Sequence, residues 1–212
     1  MVRVVHAGDF HLDSAFGALT PEQARQRRME SRRTPERLVE WANDHGADLL
    51  LLSGDLFDSD SPYGDTAPLL AQALGCFRGQ AVIAPGNHDP LTPDGPYART
   101  RWSDNVHIFT EDRMQTITFP DLNCAVHGAA FTAPECPTDN GQFGLAVPER
   151  PRAVLVQRAH RHGGCPGRPG GADIHFGRAR AAQAGTFVPR QFHDASNLEA
   201  GLRRHAGDGR RL

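Results

Sequence analysis

Three apolar runs in the first half of the chain each break at a glycine and then present side chains able to bind a metal ion. The runs cover residues 2–7, residues 49–52 and residues 81–84. They are followed by Gly8-Asp9-Phe10-His11, by Gly54-Asp55-Leu56-Phe57-Asp58 and by Pro85-Gly86-Asn87-His88-Asp89. Carboxylate and imidazole groups suit hard or borderline divalent ions. A lone Gly-Asp would be explained as a capped or solvated turn, but three such breaks in this order predict a shared metal site.

The elements between these breaks predict a parallel α/β sheet. The leucine run 49–52 is typical of a strand buried on both faces. Thr34 as N-cap and Pro35 at the first helical position start a helix that Gly46 ends. A second helix over residues 65–77 is expected to pack through an apolar stripe of Leu69, Leu70, Ala73, Leu74 and Phe77. Strands joined in this way run parallel, and ligands bind outside their carboxyl ends.

The segments after residue 89 predict a second sheet. Residues 90–102 are rich in proline and glycine, which indicates a surface loop. Strand candidates follow at residues 106–109, 114–119 and 122–127. Because they are short and close together, they favour an antiparallel sheet over further β-α-β units.

The charge is unevenly distributed. The formal net charge is −2 over 212 residues, but residues 1–149 carry −10 and residues 150–212 carry +8. All basic residues are arginine, which we attribute to coding bias rather than to phosphate binding. The acidic first part argues against strong nonspecific binding of nucleic acid by charge alone. The arginines of residues 25–33 are expected to form a solvated helix face, with contact to a DNA backbone as the alternative.

Composition also predicts the compartment. The four cysteines have neither zinc-ligand nor paired spacing. No secretory segment and no apolar run of membrane length is present in the sequence. These features favour a cytoplasmic protein with free thiols.

The order Asp-x-His, Gly-Asp-x-x-Asp, Gly-Asn-His-Asp resembles the calcineurin-like metallophosphoesterase superfamily. His11-Leu12-Asp13 after Asp9, Gly54-Asp55-Leu56-Phe57-Asp58 and Gly86-Asn87-His88-Asp89-Pro90 are most similar to the SbcD-type DNA repair exonucleases. The resemblance covers residues 1 to about 131. It implies a four-layer αββα sandwich, truncated or irregular at its C-terminus.

The resemblance also implies roles for the residues at the strand ends. Asp9 and His11 would hold a first metal ion, Asp55 would bridge two ions, and Asn87 would bind the second. The ions, Mn²⁺ by expectation, would clamp a phosphoryl group and activate water. His88 would be the catalytic histidine that assists the leaving oxygen. Asp89 or Asp58 would orient His88.

The last third departs from the family pattern. From Arg150 onwards only 11 of 63 residues are Val, Ile, Leu, Met, Phe, Trp or Tyr, a share typical of doubtful order. We therefore divide the chain into a core, residues 1–149, and a degenerate or poorly ordered segment, residues 150–212. The family's Gly-His-x-His is missing. Strand-like fragments at 154–157 and 186–192 offer His160 and His193 as substitute metal ligands, and we expect an impaired second metal site.

Other histidines have no motif around them: His6, His45 and His107 are expected to be ordinary strand or helix-end residues, and His127 a structural one. The function predicted is that of a metal-dependent DNA repair exonuclease of SbcD type. The alternatives are a phosphatase or phosphodiesterase for small phosphoesters, and a catalytically impaired remnant or binding module. The resemblance implies DNA and an SMC-like ATPase subunit as partners, and a homodimer is a further possibility.

Overall fold

The computed structural model of the chain describes residues 2–134 and two later strands. In chain order the elements are β1 (Val2–Gly8), α1 (Pro21–Ser31), α2 (Thr34–Asp44), β2 (Leu49–Leu52), α3 (Thr66–Gly75), β3 (Gln80–Ile83), α4 (Pro96–Arg99), β4 (Val106–Ile108), β5 (Gln115–Phe119), a 3₁₀ turn (Pro120–Leu122), β6 (Cys124–Gly128), β7 (Val154–Val156) and β8 (Asp173–Ala179). None of the helices in these described parts is long and apolar enough to cross a membrane.

The first sheet has the order β4-β3-β2-β1-β8. Strands β1 to β4 are parallel, with Val4 beside Leu49 and Leu50 beside Ala81. The predicted β-α-β units are therefore confirmed, and the carboxyl ends of β1, β2 and β3 meet at one edge. That edge carries the three glycine breaks.

Strand β4 corrects one prediction, because it belongs to the first sheet and not to the second. It lies parallel to β3, and the pairing extends beyond the strand through the Phe109 N–H, which donates to the Ile83 carbonyl. The reason lies in residues 90–102, which contain α4 with the buried Tyr97. This connection is thus a crossover rather than a simple surface loop, and it returns the chain to the same sheet in the same direction.

The second sheet has the order β5-β6-β7. The predicted antiparallel pairing of β5 with β6 is confirmed, and β7 coincides with the fragment at 154–157 and runs parallel to β6. Strand β8 was not predicted from sequence; it pairs antiparallel with β1 along all seven residues. The fragment at 186–192 lies outside the described residues, and the division at residue 149 stays a prediction.

Two apolar cores lie on opposite faces of the first sheet. One joins the sheet to α2 and α3 through residues such as Leu38, Leu50 and Leu70. The other joins it to the second sheet through residues such as Leu51 and Val126. This helix-sheet-sheet layering confirms the α/β class, and within the described residues three layers of the expected four are present.

Two details of the helices differ from expectation. Thr34 is buried and is the first residue of α2, while the N-cap is Arg33, which has no side-chain capping bond. Only two residues separate α1 from α2, and Arg33 stays near helical geometry (φ −85°, ψ −11°), so Thr34 never takes the extended conformation of a cap. In α3, Leu70 and Leu74 are buried as predicted, but Leu69 is 44% exposed.

Candidate metal centre

The loops after β1 and β2 run side by side beyond the end of the sheet. The N–H groups of Asp9, His11 and Leu12 donate to the carbonyls of residues 54, 55 and 56 over 3.1, 2.9 and 2.9 Å. Leu12 and Phe57 form a further parallel bridge. The backbone ladder of the sheet therefore continues into both loops and fixes their register.

The same loops contain unusual backbone conformations. Asp9, His11, Asp13 and Asp55 have φ angles of 54°, 44°, 70° and 51°. Such left-handed conformations cost on the order of 1–3 kcal/mol for residues other than glycine, and they persist only where the surrounding structure determines them. Their concentration here is typical of a functional site.

Asp9, His11 and Asp55 come together as a candidate metal site. One ligand atom from each of them lies within 4.8 Å of the others. The side chains of Asp9 and His11 are each 15% exposed, and Asp55 is almost fully buried. Burial raises the pKa of Asp55, while the His88 N–H and the nearby imidazoles of His11 and His88 oppose the rise. A bound cation would favour the ionised form of this carboxylate.

Asn87 adds a neutral oxygen at the same edge. Its Oδ1 is buried and, in the described part of the chain, has no hydrogen-bond partner. A buried carbonyl oxygen without a partner is costly, and a metal ion would remove that cost. Two carboxylates, an imidazole and this amide oxygen form a donor set suited to a divalent ion of the Mn²⁺ type. The residues present therefore fit the implied metal.

His88 lies against the site but is itself exposed. Its backbone N–H donates to Asp55 Oδ1 over 3.1 Å, and its ring packs edge-on to His11 with centroids 5.0 Å apart. His88 Nδ1 is 3.4 Å from the backbone carbonyl oxygen of Asp58. This contact leaves the opposite ring nitrogen, Nε2, for another partner.

The Asp58 carboxylate contacts His11 rather than His88. His11 Nδ1 lies 3.1 Å from Asp58 Oδ1, and the Nε2 of the same ring is 3.9 Å from Asp9 Oδ1. His11, Asp58 and His88 also form a second group of possible ligands. A carboxylate on the far nitrogen of a metal-binding histidine orients the ring and fixes its tautomer. The sequence suggested that Asp58 orients His88. The structure shows instead that the Asp58 carboxylate contacts His11.

Asp89 was predicted as the other partner of His88, and this is also wrong. Asp89 is completely buried and accepts backbone N–H bonds from residues 55, 56, 57 and 86 over 2.7–3.1 Å. The Tyr97 hydroxyl donates to it over 2.6 Å. Burial raises the pKa of Asp89 to about 6, against the opposing effect of the Tyr97 hydroxyl and the backbone donors. Asp89 therefore joins the loops after β2 and β3 instead of acting on His88.

Two glycines allow these loops to touch. A Cβ at Gly54, whose φ is 81°, would lie 2.7 Å from the Gly86 Cα. A Cβ at Gly86 would overlap the Asp55 carboxylate and backbone nitrogen. Both positions require glycine because of this close approach.

The remaining predicted residues have different outcomes. His127 is buried, and its Nδ1 is 2.8 Å from the Thr116 hydroxyl; burial lowers its pKa. It belongs to neither group of possible ligands found among the described residues. His160 and His193 lie outside the described residues, so their proposed ligand roles stay predictions.

The chain is similar in sequence to known proteins. A family model described as calcineurin-like phosphoesterase matches residues 2–186. The SbcD subunit of the nuclease SbcCD from Escherichia coli (strain K12) is 30% identical over 173 residues, covering 76% of this chain and 36% of that protein. The metallophosphoesterase YhaO of Bacillus subtilis (strain 168) is 33% identical over 112 residues, covering 50% of this chain and 27% of that protein.

The fold and the candidate site define a metallophosphoesterase domain. The chain belongs to the calcineurin-like phosphoesterase family, whose members are hydrolases acting on phosphoester bonds. It spans 27% and 36% of the length of the two relatives described above.

Proposed function

We propose that this chain is a metal-dependent phosphodiesterase whose substrate is DNA, of the type of the SbcD exonucleases. The observation that carries the proposal is the cluster of Asp9, His11 and Asp55, in which the Asp55 carboxylate accepts the backbone N–H of His88. The preceding residue, Asn87, has a buried side-chain oxygen that finds no hydrogen-bond partner within the described residues. Two anionic groups, a neutral oxygen and an exposed histidine suit the hydrolysis of a phosphate ester. When bound, divalent ions supply charge neutralisation at the phosphoryl group and acidify the attacking water.

The protein residues have separate tasks in this proposal. Asp55 is suited to bridge two cations, because only a carboxylate offers two anionic oxygens. The His88 N–H contacts one of these oxygens, so the histidine is fixed relative to the bridging group. Asp58 keeps the His11 ring oriented through Nδ1, which leaves Nε2 on the side of Asp9.

His88 is the proposed general acid. The backbone carbonyl of Asp58 can accept a hydrogen bond from the Nδ1–H of His88. The Nε2 atom of this exposed ring is then available to a substrate. A protonated His88 can then donate its Nε2 proton to the oxygen that leaves phosphorus. A positioned acid of this kind contributes typically about 10²–10⁴-fold to a rate.

The choice of DNA and of a partner is supported by likeness. The relatives include proteins named as part of a nuclease, and the motifs at Asp9, Asp55 and Asn87 resemble that type. We extend the same proposal to Mn²⁺ as the metal, to a role in DNA repair and to an SMC-like ATPase subunit as the partner. His160 and His193 are the proposed substitute ligands of a second metal site that we expect to be impaired.

The test is an assay of three substrates with Mn²⁺: end-labelled linear DNA, a generic phosphodiester and a generic phosphomonoester. We expect cleavage of DNA and of the diester, and loss of both in His88→Ala, with Asp60→Asn in the neighbouring exposed loop as the control. Hydrolysis of the monoester or of the generic diester without cleavage of DNA would favour the small-phosphoester alternative. A folded protein that binds Mn²⁺ and hydrolyses none of the three would instead be a remnant or binding module.

A further inference from the structure

A buried carboxylate anchors the loop that carries Asp9 and His11. Asp13 follows His11 by two residues, and its side chain is only 6% exposed. It accepts bonds from Arg32 Nε over 2.9 Å, from the Tyr63 N–H over 2.9 Å and from the Thr66 hydroxyl over 2.5 Å. These donors come from the end of α1, from the loop after β2 and from the start of α3. One side chain thus ties three separate segments to the loop that carries His11.

Arg32 is the centre of this anchor. Beyond Asp13, its guanidinium donates to both oxygens of Asp65 over 2.9 and 3.0 Å and to the Thr66 hydroxyl over 2.6 Å. The central carbon of the guanidinium, Cζ, also lies 5.5 Å from the centre of the Tyr63 ring. Arginine alone has a fork of donors that can serve these groups together. The sequence suggested that Arg32 lies on a solvated helix face. Its guanidinium instead binds Asp13, Asp65 and Thr66.

The loop needs such an anchor because its backbone is strained. His11 and Asp13 both have left-handed φ angles, 44° and 70°. On one side the loop is held by the backbone ladder to residues 54–58. On the other side, Asp13 and its partners provide the side-chain contacts described above. Strained conformations persist only when they are determined from outside.

We infer that Asp13 and Arg32 are positioning residues that hold the His11 loop in the geometry needed for metal binding. The inference rests on the proposed metal centre and goes beyond it, because neither residue is a metal ligand in that proposal. The outer contact between Arg32 and Asp65 differs from the inner one, since Asp65 is 65% exposed while Asp13 is buried. Exposed ion pairs contribute little, so the inner contact should carry the effect.

The experiment compares Mn²⁺ affinity, measured by calorimetry on the full chain, in wild type, Asp13→Asn, Arg32→Ala and Asp65→Asn. Asparagine tolerates the left-handed conformation, so Asp13→Asn removes the charge without a new backbone conflict. We expect Asp13→Asn and Arg32→Ala to bind Mn²⁺ about tenfold more weakly than wild type. This is the smaller end of the loss that follows when a residue supporting a metal ligand is replaced. Asp65→Asn is the matched control and should stay within about twofold of wild type, as suits an exposed pair.

A second readout separates positioning from a general loss of structure. At saturating Mn²⁺, both variants should recover wild-type kcat, and Arg32→Lys, which keeps a cation near Asp13, should bind Mn²⁺ more tightly than Arg32→Ala. If wild type itself binds no Mn²⁺, the proposed function fails. If wild type binds but Asp13→Asn binds equally well, this inference is overturned. If Asp13→Asn does not fold, Thr66→Val replaces it, because this variant removes one hydrogen bond to the Asp13 carboxylate. Mn²⁺ affinity equal to that of wild type would then overturn the inference.

Discussion

The contact between Asp89 and the site loops yields the sharpest prediction about stability. Replacing Asp89 by asparagine keeps the size of the side chain but exchanges one acceptor oxygen for an NH₂ group. In the wild type, each carboxylate oxygen of Asp89 accepts two backbone N–H groups. Whichever way the asparagine amide is turned, its NH₂ group therefore faces two of these donors. Each lost bond to a charged acceptor costs about 1.5–3 kcal/mol, and removal of the buried charge offsets part of the loss.

We therefore expect Asp89→Asn to lower the free energy of unfolding by about 3 kcal/mol. For a chain of this size that corresponds to a fall in Tm of roughly 6–12 °C. The assay is thermal unfolding of the metal-free protein, followed by Mn²⁺ titration of the folded variant. Because Asp89 joins the backbones of residues 55–57 to Gly86, metal affinity should fall together with stability.

Tyr97→Phe is the matched control for Asp89→Asn. It removes one donor to the same carboxylate and leaves the four backbone bonds in place. Its expected cost is about 1.5 kcal/mol, with little change in metal affinity. An Asp89→Asn protein with the Tm and Mn²⁺ affinity of wild type would refute the assignment of Asp89 as the connection between the two loops.

Three further predictions concern the metal site directly. Burial raises the pKa of Asp55, and metal binding requires its ionised form. As the solution is acidified, Mn²⁺ affinity should therefore begin to fall at a higher pH than it would with an ordinary aspartate. Calorimetry over a pH series checks this, and an affinity that does not change with pH would contradict it. Gly86→Ala should weaken Mn²⁺ binding because its methyl group would displace the Asp55 carboxylate, whereas Gly17→Ala, with open space around it, should not. Asp58→Ala should weaken Mn²⁺ binding about ten- to hundredfold, because it removes the acceptor that orients the His11 ring. A loss of kcat with unchanged metal affinity would instead assign Asp58 to catalysis.

The sequence was sufficient to predict three strands of the first sheet, β1, β2 and β3, and the edge at which their candidate metal ligands lie. Leu49–Leu52 is buried on both faces, and the glycine breaks after β1, β2 and β3 meet at that edge, because these features depend on local patterns. The placement of β4 was not predictable in the same way. It depends on the crossover through α4, which a local pattern of proline and glycine does not distinguish from a surface loop.

The partners of the site residues were also beyond local patterns. Asp58 and Asp89 are adjacent in motif to His88, yet one contacts His11 and the other accepts backbone N–H groups. Tyr97 had no motif, and its hydroxyl could be assigned only once α4 was located. Side-chain partners that are distant in sequence depend on how the loops are packed, and motif spacing does not encode that packing.

We propose that Asp9, His11 and Asp55 bind a catalytic metal ion. The most direct test is calorimetric titration of Mn²⁺ into the wild-type chain and into Asp55→Asn. We predict one tight site in wild type and a loss of more than about a hundredfold in the variant, since a direct ligand matters more than an outer partner. Equal Mn²⁺ affinity in the two proteins would contradict the claim.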